Sequence, residues 1–194
     1  MVFLFYELAR SKEQQDKLRA ELATVDIYDR HALQKLPRLN GLINETLRLH
    51  PPVPTGGYRQ SPDAGFTLAG HFIPGGTTIV NPRYSLARLE SCYEQPDEFI
   101  PERWHSRPEM VRDKRAFVPF AQGRYNCIGK TLAMSELRFV TALLVQKYDV
   151  CFAEGEDGTG LFRDLKDQFT AAPGRLNLSF RRRKMDGHGE EGKE

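Results

Sequence analysis

The stretch PFAQGRYNCIGKTLAMSELRF, residues 119–139, sets one cysteine between two glycines directly ahead of a run with Ala133, Leu137, Val140 and Leu144 at helical spacing. Apolar residues so spaced line one face of a helix, so Cys127 stands in a turn at a helix start. Such a turn suits a sulfur anion in three ways. Gly123 and Gly129 permit backbone conformations and close approaches that a Cβ would block. The amides of Ile128, Gly129 and Lys130 fall among those an α-helix leaves unpaired at its N-terminus, and the positive end of the helix dipole lies there too. A thiolate is a strong ligand for a soft or borderline metal, but it ionises only where donors surround it. A lone cysteine is more often simply a small buried hydrophobe. The spacing of its neighbours decides between the two.

The rest of the chain frames that turn. MVFLFYELAR reads as the end of one helix, and Ser11 opens a second, with Gln14 completing a capping-box pattern and Leu18 and Leu22 on its apolar face. LPRLNGLINETLRLH carries Leu39, Ile43 and Leu47 at helical spacing until Pro51 and Pro52 stop it. Between Phe66 and Val80, β-branched and aromatic residues surround IPGGT, whose Pro74 and Gly75 suit a type II turn, so the spacing predicts a short antiparallel hairpin. Residues 91–110 mix proline, charge and aromatics without period. Phe99 and Trp104 there need burial, which predicts an ordered irregular loop. LNLSF reads as a strand, and residues 181–194 as a disordered, charged tail. The elements describe one α+β domain over residues 1–180, mainly α with small antiparallel β-sheets, without repeats or a linker.

Composition excludes little but useful things. With 28 basic and 26 acidic residues, the chain has no charge bias toward nucleic acid. Cys92, Cys127 and Cys151 form no CxxC pair and leave an odd thiol, which suits a reduced compartment and gives no support to a zinc site. MVFLFY is apolar for only six residues before Glu7, far short of the roughly 20 that span a bilayer, so no membrane anchor is expected in this chain.

FAQGRYNCIG, residues 120–129, resembles the ligand loop of the cytochrome P450 monooxygenases, Phe-x-x-Gly-x-Arg-x-Cys-x-Gly, with Phe120, Gly123, Cys127 and Gly129 in place. ETLR is similar to the family's Glu-x-x-Arg pair, and FIPERW to its Pro-Glu-Arg-Trp segment. Periodicity alone makes Glu45 and Arg48 a solvent-exposed ion pair opposite Leu39, Ile43 and Leu47, worth a few tenths of a kcal/mol. The resemblance implies instead that Glu45, Arg48 and Arg103 form a buried triad locking the irregular loop to the helix.

The resemblance further implies the C-terminal part of the P450 fold around a haem b. Cys127 would be the axial thiolate on iron and Phe120 would pack near the sulfur, while Gly123 and Gly129 let the loop press on the porphyrin. In HPPVPTGGYR, Arg59 takes the place of an arginine that pairs with a haem propionate. The family's loop has another such arginine two residues before the cysteine, but here that position holds Tyr125. Either Arg124 reaches the propionate from one residue away or Tyr125 donates a single neutral hydrogen bond. Val53 to Gly57 and Thr170 to Pro173 align with substrate-lining regions, or pack as ordinary strand ends.

The implied chemistry is insertion of one oxygen atom from O2 into a lipophilic small molecule, with electrons from an NADPH-dependent reductase, at the cytosolic face of the endoplasmic reticulum in full-length members. MVFLFYELAR resembles the last turns of the family's distal helix, whose acid/alcohol pair would lie upstream of Met1. Three expectations follow: the haem-ligand portion of a monooxygenase, an inactive haem-binding fragment, or an enzyme that rearranges a hydroperoxide.

Overall fold

Helix ends follow their caps in the computed structural model, which describes residues 1–183. Helix α1 (Val2–Arg10) stops at Ser11, whose extended backbone also begins α2 (Lys12–Leu22). The Ser11 hydroxyl accepts from the Gln14 amide at 3.2 Å. Only half of the expected capping box forms, because the Gln14 side chain donates to Glu102 Oε1 at 3.0 Å and ties α2 to the irregular loop. Helix α3 (Arg30–Lys35), capped by Asp29, is too short to show a period and is a feature the sequence reading lacks. Helix α4 (Pro37–Leu49) begins on a proline and ends at His50, ahead of Pro51 and Pro52.

The small sheets differ from the predicted hairpin. Strand β1 (Tyr58–Gln60) pairs antiparallel with β4 (Thr78–Val80), with Arg59 opposite Ile79. Between them β2 (Phe66–Leu68) pairs with β3 (His71–Ile73), and the chain reverses at Ala69 and Gly70, both at positive φ, as a two-residue hairpin of this twist requires. Pro74 and Gly75 make the corner from β3 to β4 rather than the hairpin turn. Ser61 pins that corner, donating to Pro74 O at 2.5 Å and accepting from the Thr77 amide at 2.8 Å.

After α5 (Arg83–Leu86), residues 91–110 are ordered and irregular as expected, with tight 3-10 turns at Pro101–Trp104 and Pro108–Met110. Helix α6 (Lys130–Lys147) runs into β5 (Tyr148–Phe152), which pairs with β8 (Leu178–Arg182). Between these strands lie α7 (Thr159–Arg163) and the hairpin of β6 (Lys166–Gln168) with β7 (Thr170–Ala172). Strand β8 carries Arg181 and Arg182, so the boundary drawn at residue 180 lies two residues too early. The rest of the predicted disordered tail, from residue 184, lies outside the described residues.

The core joins α1, α2, α4 and α6 through Leu4, Leu8, Leu18, Leu22, Leu39, Ile43, Ala142 and Val145. Helix α6 is rotated from its predicted face: Met134, Thr141, Ala142 and Val145 are buried, whereas Leu137 and Leu144 are half-buried. A helix apolar over much of its circumference does not fix its own face by period. The rotation leaves Leu132 73% exposed near the start of α6.

Candidate functional site

The turn before α6 closes on itself by backbone hydrogen bonds. The Cys127 amide donates to Phe120 O at 2.8 Å, and the Asn126 amide to Gly123 O at 3.1 Å. Getting from Phe120 to Cys127 takes two left-handed residues, Ala121 at φ 58° and Gly123 at φ 70°. Glycine is needed at 123 for that conformation, and Ala121 carries strain on the order of 1 kcal/mol. Gly129 has an ordinary φ of −82°, and a Cβ there would lie 3.8 Å from the Cys127 sulfur, so its absence leaves the side of the sulfur open rather than relieving strain.

Of the three amides predicted to serve the sulfur, Lys130 N is taken, donating to Cys127 O at 3.3 Å. That bond belongs to the first helical turn, which a spacing argument does not count. Among the described residues the Ile128 and Gly129 amides have no acceptor, and no side chain caps Gly129. Two donors and the dipole of an 18-residue helix therefore remain near the sulfur. Of the cysteines, Cys127 is exposed, Cys92 is buried and Cys151 lies half-buried under Ser179 O at 3.8 Å.

Cys127 and Phe120 line an open cleft with Leu47, Val53, Arg59, Arg83 and Phe169, whose exposed surface is mostly apolar. Helix α4 supplies Leu47, the chain leaving it supplies Val53, and β1 presents Arg59. The guanidinium of Arg59 donates to Tyr58 O at 2.8 Å and sits 5.0 Å over the Tyr125 ring. Arg124 is exposed and lies 5.9 Å from the same ring. Tyr125 is thus a platform for two cations. The two substrate-lining candidates divide: Val53 and Gly57 reach the cysteine cleft, whereas Ala171 and Pro173 line a neighbouring pocket with Phe3, His50 and Leu137. Backbone and side chain join the two regions, through Ala171 N to Pro52 O at 2.8 Å and the Thr55 hydroxyl to the Asp167 carboxylate. Phe169, at φ 70° in the turn between β6 and β7, is the residue of that turn that reaches the cysteine cleft.

The triad is buried, against periodicity and with the resemblance. Glu45 is 0% exposed; Arg48 donates to its oxygens at 2.9 and 2.8 Å, and Arg103 at 3.0 Å. The Ile100 amide and the Trp104 indole complete the carboxylate's shell at 2.9 and 2.8 Å. Both guanidiniums spend their other donors on loop carbonyls, Arg48 on Ala87, Pro96 and Glu98 and Arg103 on Glu94 and Gln95. A buried ion pair stabilises only when its donors are matched in this way. Tyr93, unremarked in the sequence, is fully buried beneath Arg48 at 5.0 Å, and burial pushes its hydroxyl up to about 12.

The family profile described as Cytochrome P450 matches residues 1–179. The chain belongs to the cytochrome P450 family. It is 47% identical over 160 residues to tryprostatin B 6-hydroxylase of Aspergillus fumigatus, covering 80% of this chain and 29% of that protein. It is 41% identical over 184 residues to cytochrome P450 monooxygenase phqL of Penicillium fellutanum, covering 95% of the chain and 33% of the relative. With cytochrome P450 monooxygenase notG' of Aspergillus versicolor it shares 39% over 183 residues, 92% of the chain and 34% of the relative. The chain therefore spans about a third of the length of the curated relatives it matches.

Members of the P450 family hold haem, and these residues fit one. An exposed cysteine lines a mostly apolar cleft, and the amides of the next two residues, Ile128 and Gly129, have no acceptor among the described residues. At the rim stand two arginines, and among the described residues neither lies within ion-pair reach of a carboxylate; their hydrogen bonds go to carbonyls. Among the described residues no helix is long and apolar enough to cross a membrane.

Proposed function

We propose that Cys127 is the axial thiolate of a haem b and that the protein inserts one oxygen atom from O2 into a lipophilic small molecule, as the name of its 6-hydroxylase relative suggests. The observation that carries this reading is the exposed Cys127 sulfur in an apolar cleft, ahead of the uncapped start of α6. When bound, a thiolate-ligated haem supplies oxygen activation, with electron density pushed from sulfur. The chain's own residues do the rest. The Ile128 and Gly129 amides hold negative charge on the sulfur, Phe120 excludes water beside it, and Arg59 takes an anionic edge of the macrocycle. Val53, Gly57 and Phe169 shape the space left for a substrate. Electrons come from an NADPH-dependent reductase, and the whole protein works at the cytosolic face of the endoplasmic reticulum.

One observation favours a second reading, a haem-binding chain that does not turn over by itself. Ile128 is fully exposed and Leu132 73% exposed beside Cys127. Such wet apolar surface forgoes burial worth about 25 cal/mol per Å² and leaves water around the iron position. The test is reconstitution of the chain with haem, reductase and NADPH, measuring product per NADPH over lipophilic substrates, with Cys127→Ser as control. Coupled oxygenation lost in the variant supports the first reading. Haem uptake without product supports the second, and turnover unchanged by Cys127→Ser refutes both.

A further inference from the structure

The family's loop pattern puts an arginine where this chain has Tyr125, whose ring lines the Cys127 cleft but carries no charge. Tyr125 offers its ring to Arg59 at 5.0 Å and to the exposed Arg124 at 5.9 Å. A different arginine stands in the cleft. Arg83, the first residue of α5, lines the Cys127 cleft together with Arg59, and the same two lean into an adjoining polar cleft with Asn81 and Gln122. Its guanidinium donates to Pro119 O at 3.2 Å, the carbonyl just before Phe120, so it also braces the cysteine loop. Arg59 is held from the other side over Gly57, where a Cβ would come within 3.2 Å of its guanidinium.

The half-buried Arg83 and the exposed Arg59 share one cleft, and like charges there repel one another. Burial first and Arg59 second push the Arg83 guanidinium down, while the Cys127 sulfur acts in the opposite sense. An arginine fork matches a carboxylate, and among the described residues both guanidiniums donate to carbonyls instead. The ligand that fits carries two carboxylates on one edge of an apolar plate whose metal faces the sulfur.

We propose that Arg83 and Arg59 form a two-point clamp for the two propionates of the haem, with Arg83 replacing in space the arginine missing at Tyr125. This rests on the haem reading of Cys127. It adds a residue that the loop pattern does not contain, drawn from α5. Arg83 thereby couples the anchor to the loop: the guanidinium that holds a propionate also holds Pro119 O, so docking the macrocycle fixes the turn that aims the sulfur.

The experiment is a Soret-band titration of the 194-residue chain with haemin and with haemin dimethyl ester, which keeps the plate and the iron but has no carboxylates. The wild-type chain is expected to prefer haemin. In Arg83→Gln, haemin affinity should fall roughly 10- to 100-fold, the loss of one charge-assisted contact, while ester affinity stays put. Arg83→Lys should restore most of the preference, and Arg124→Gln should behave as wild type. Arg83→Met, which keeps the apolar stem, replaces the glutamine variant if that variant fails to fold. Haemin affinity unchanged in the neutral Arg83 variants, equal losses for haemin and ester, or loss of the preference in Arg124→Gln overturns the clamp while leaving Cys127 as ligand. A wild-type chain that binds neither compound removes the haem reading and the clamp with it.

Discussion

Glu45 and Arg103, 58 residues apart in sequence, meet at 3.0 Å with both side chains fully shielded from solvent. The carboxylate also receives Arg48, the Ile100 amide and the Trp104 indole, so one buried anion organises both α4 and the loop that follows α5. Removing one member of a buried pair typically costs about 3–5 kcal/mol, because the partner charge is left unmatched. A double-mutant cycle between Glu45→Gln and Arg103→Met, read by chemical denaturation, should give a coupling of about 1–3 kcal/mol. Additive effects of surface-pair size would mean the charges are solvated.

The Tyr93 hydroxyl is buried with no hydrogen-bond partner among the described residues. Tyr93→Phe should leave stability unchanged or raise it by about 1 kcal/mol, since an unmatched buried hydroxyl is a cost and the ring under Arg48 is kept. A pH signature accompanies it. The hydroxyl ionises near 10 in the unfolded chain and is pushed up to about 12 when folded, so its contribution is intact below pH 10 and lost as pH rises toward 12. The Phe variant should unfold less steeply with pH across that window. An identical alkaline profile would mean that Tyr93 is not the group responsible.

Gly41 in α4 faces the tight turn at Pro101–Trp104, where an added Cβ would lie 2.8 Å from Pro101 O and 2.9 Å from the His105 ring. In an exposed helix Gly→Ala stabilises, but here the contact is with backbone and cannot relax easily. Gly41→Ala should therefore destabilise by about 1–3 kcal/mol. A variant that is as stable as wild type, or more so, would show that the loop does not sit this close to α4.

What the sequence made legible is local. The Cys127 turn, the Ser11 cap and the stop of α4 at Pro51 depend on neighbours a few residues away, and the structure holds each of them. What it hid depends on distance or degeneracy. The pairing of β1 with β4 skips over a complete hairpin, so Pro74 and Gly75, which suit a hairpin turn, make the corner into β4 instead. Helix α6 is apolar around much of its surface, and only packing against α2 and α4 selects its buried face. The burial of Glu45 and Arg48 inverted the periodicity argument because their partners come from residues 87–104, which have no period. Arg83 is unreadable for the same reason: nothing near NPRYSL indicates that it shares a cleft with Cys127.

The central claim is that Cys127, and neither Cys92 nor Cys151, ligates the haem iron. The most direct measurement is the carbon-monoxide difference spectrum of the reduced, haem-loaded protein in the wild type and in three single Cys→Ser variants. The account predicts the red-shifted Soret band of a thiolate ligand in the wild type, in Cys92→Ser and in Cys151→Ser, and its loss in Cys127→Ser. Retention of that band in Cys127→Ser, or its disappearance only when Cys92 or Cys151 is replaced, would contradict it.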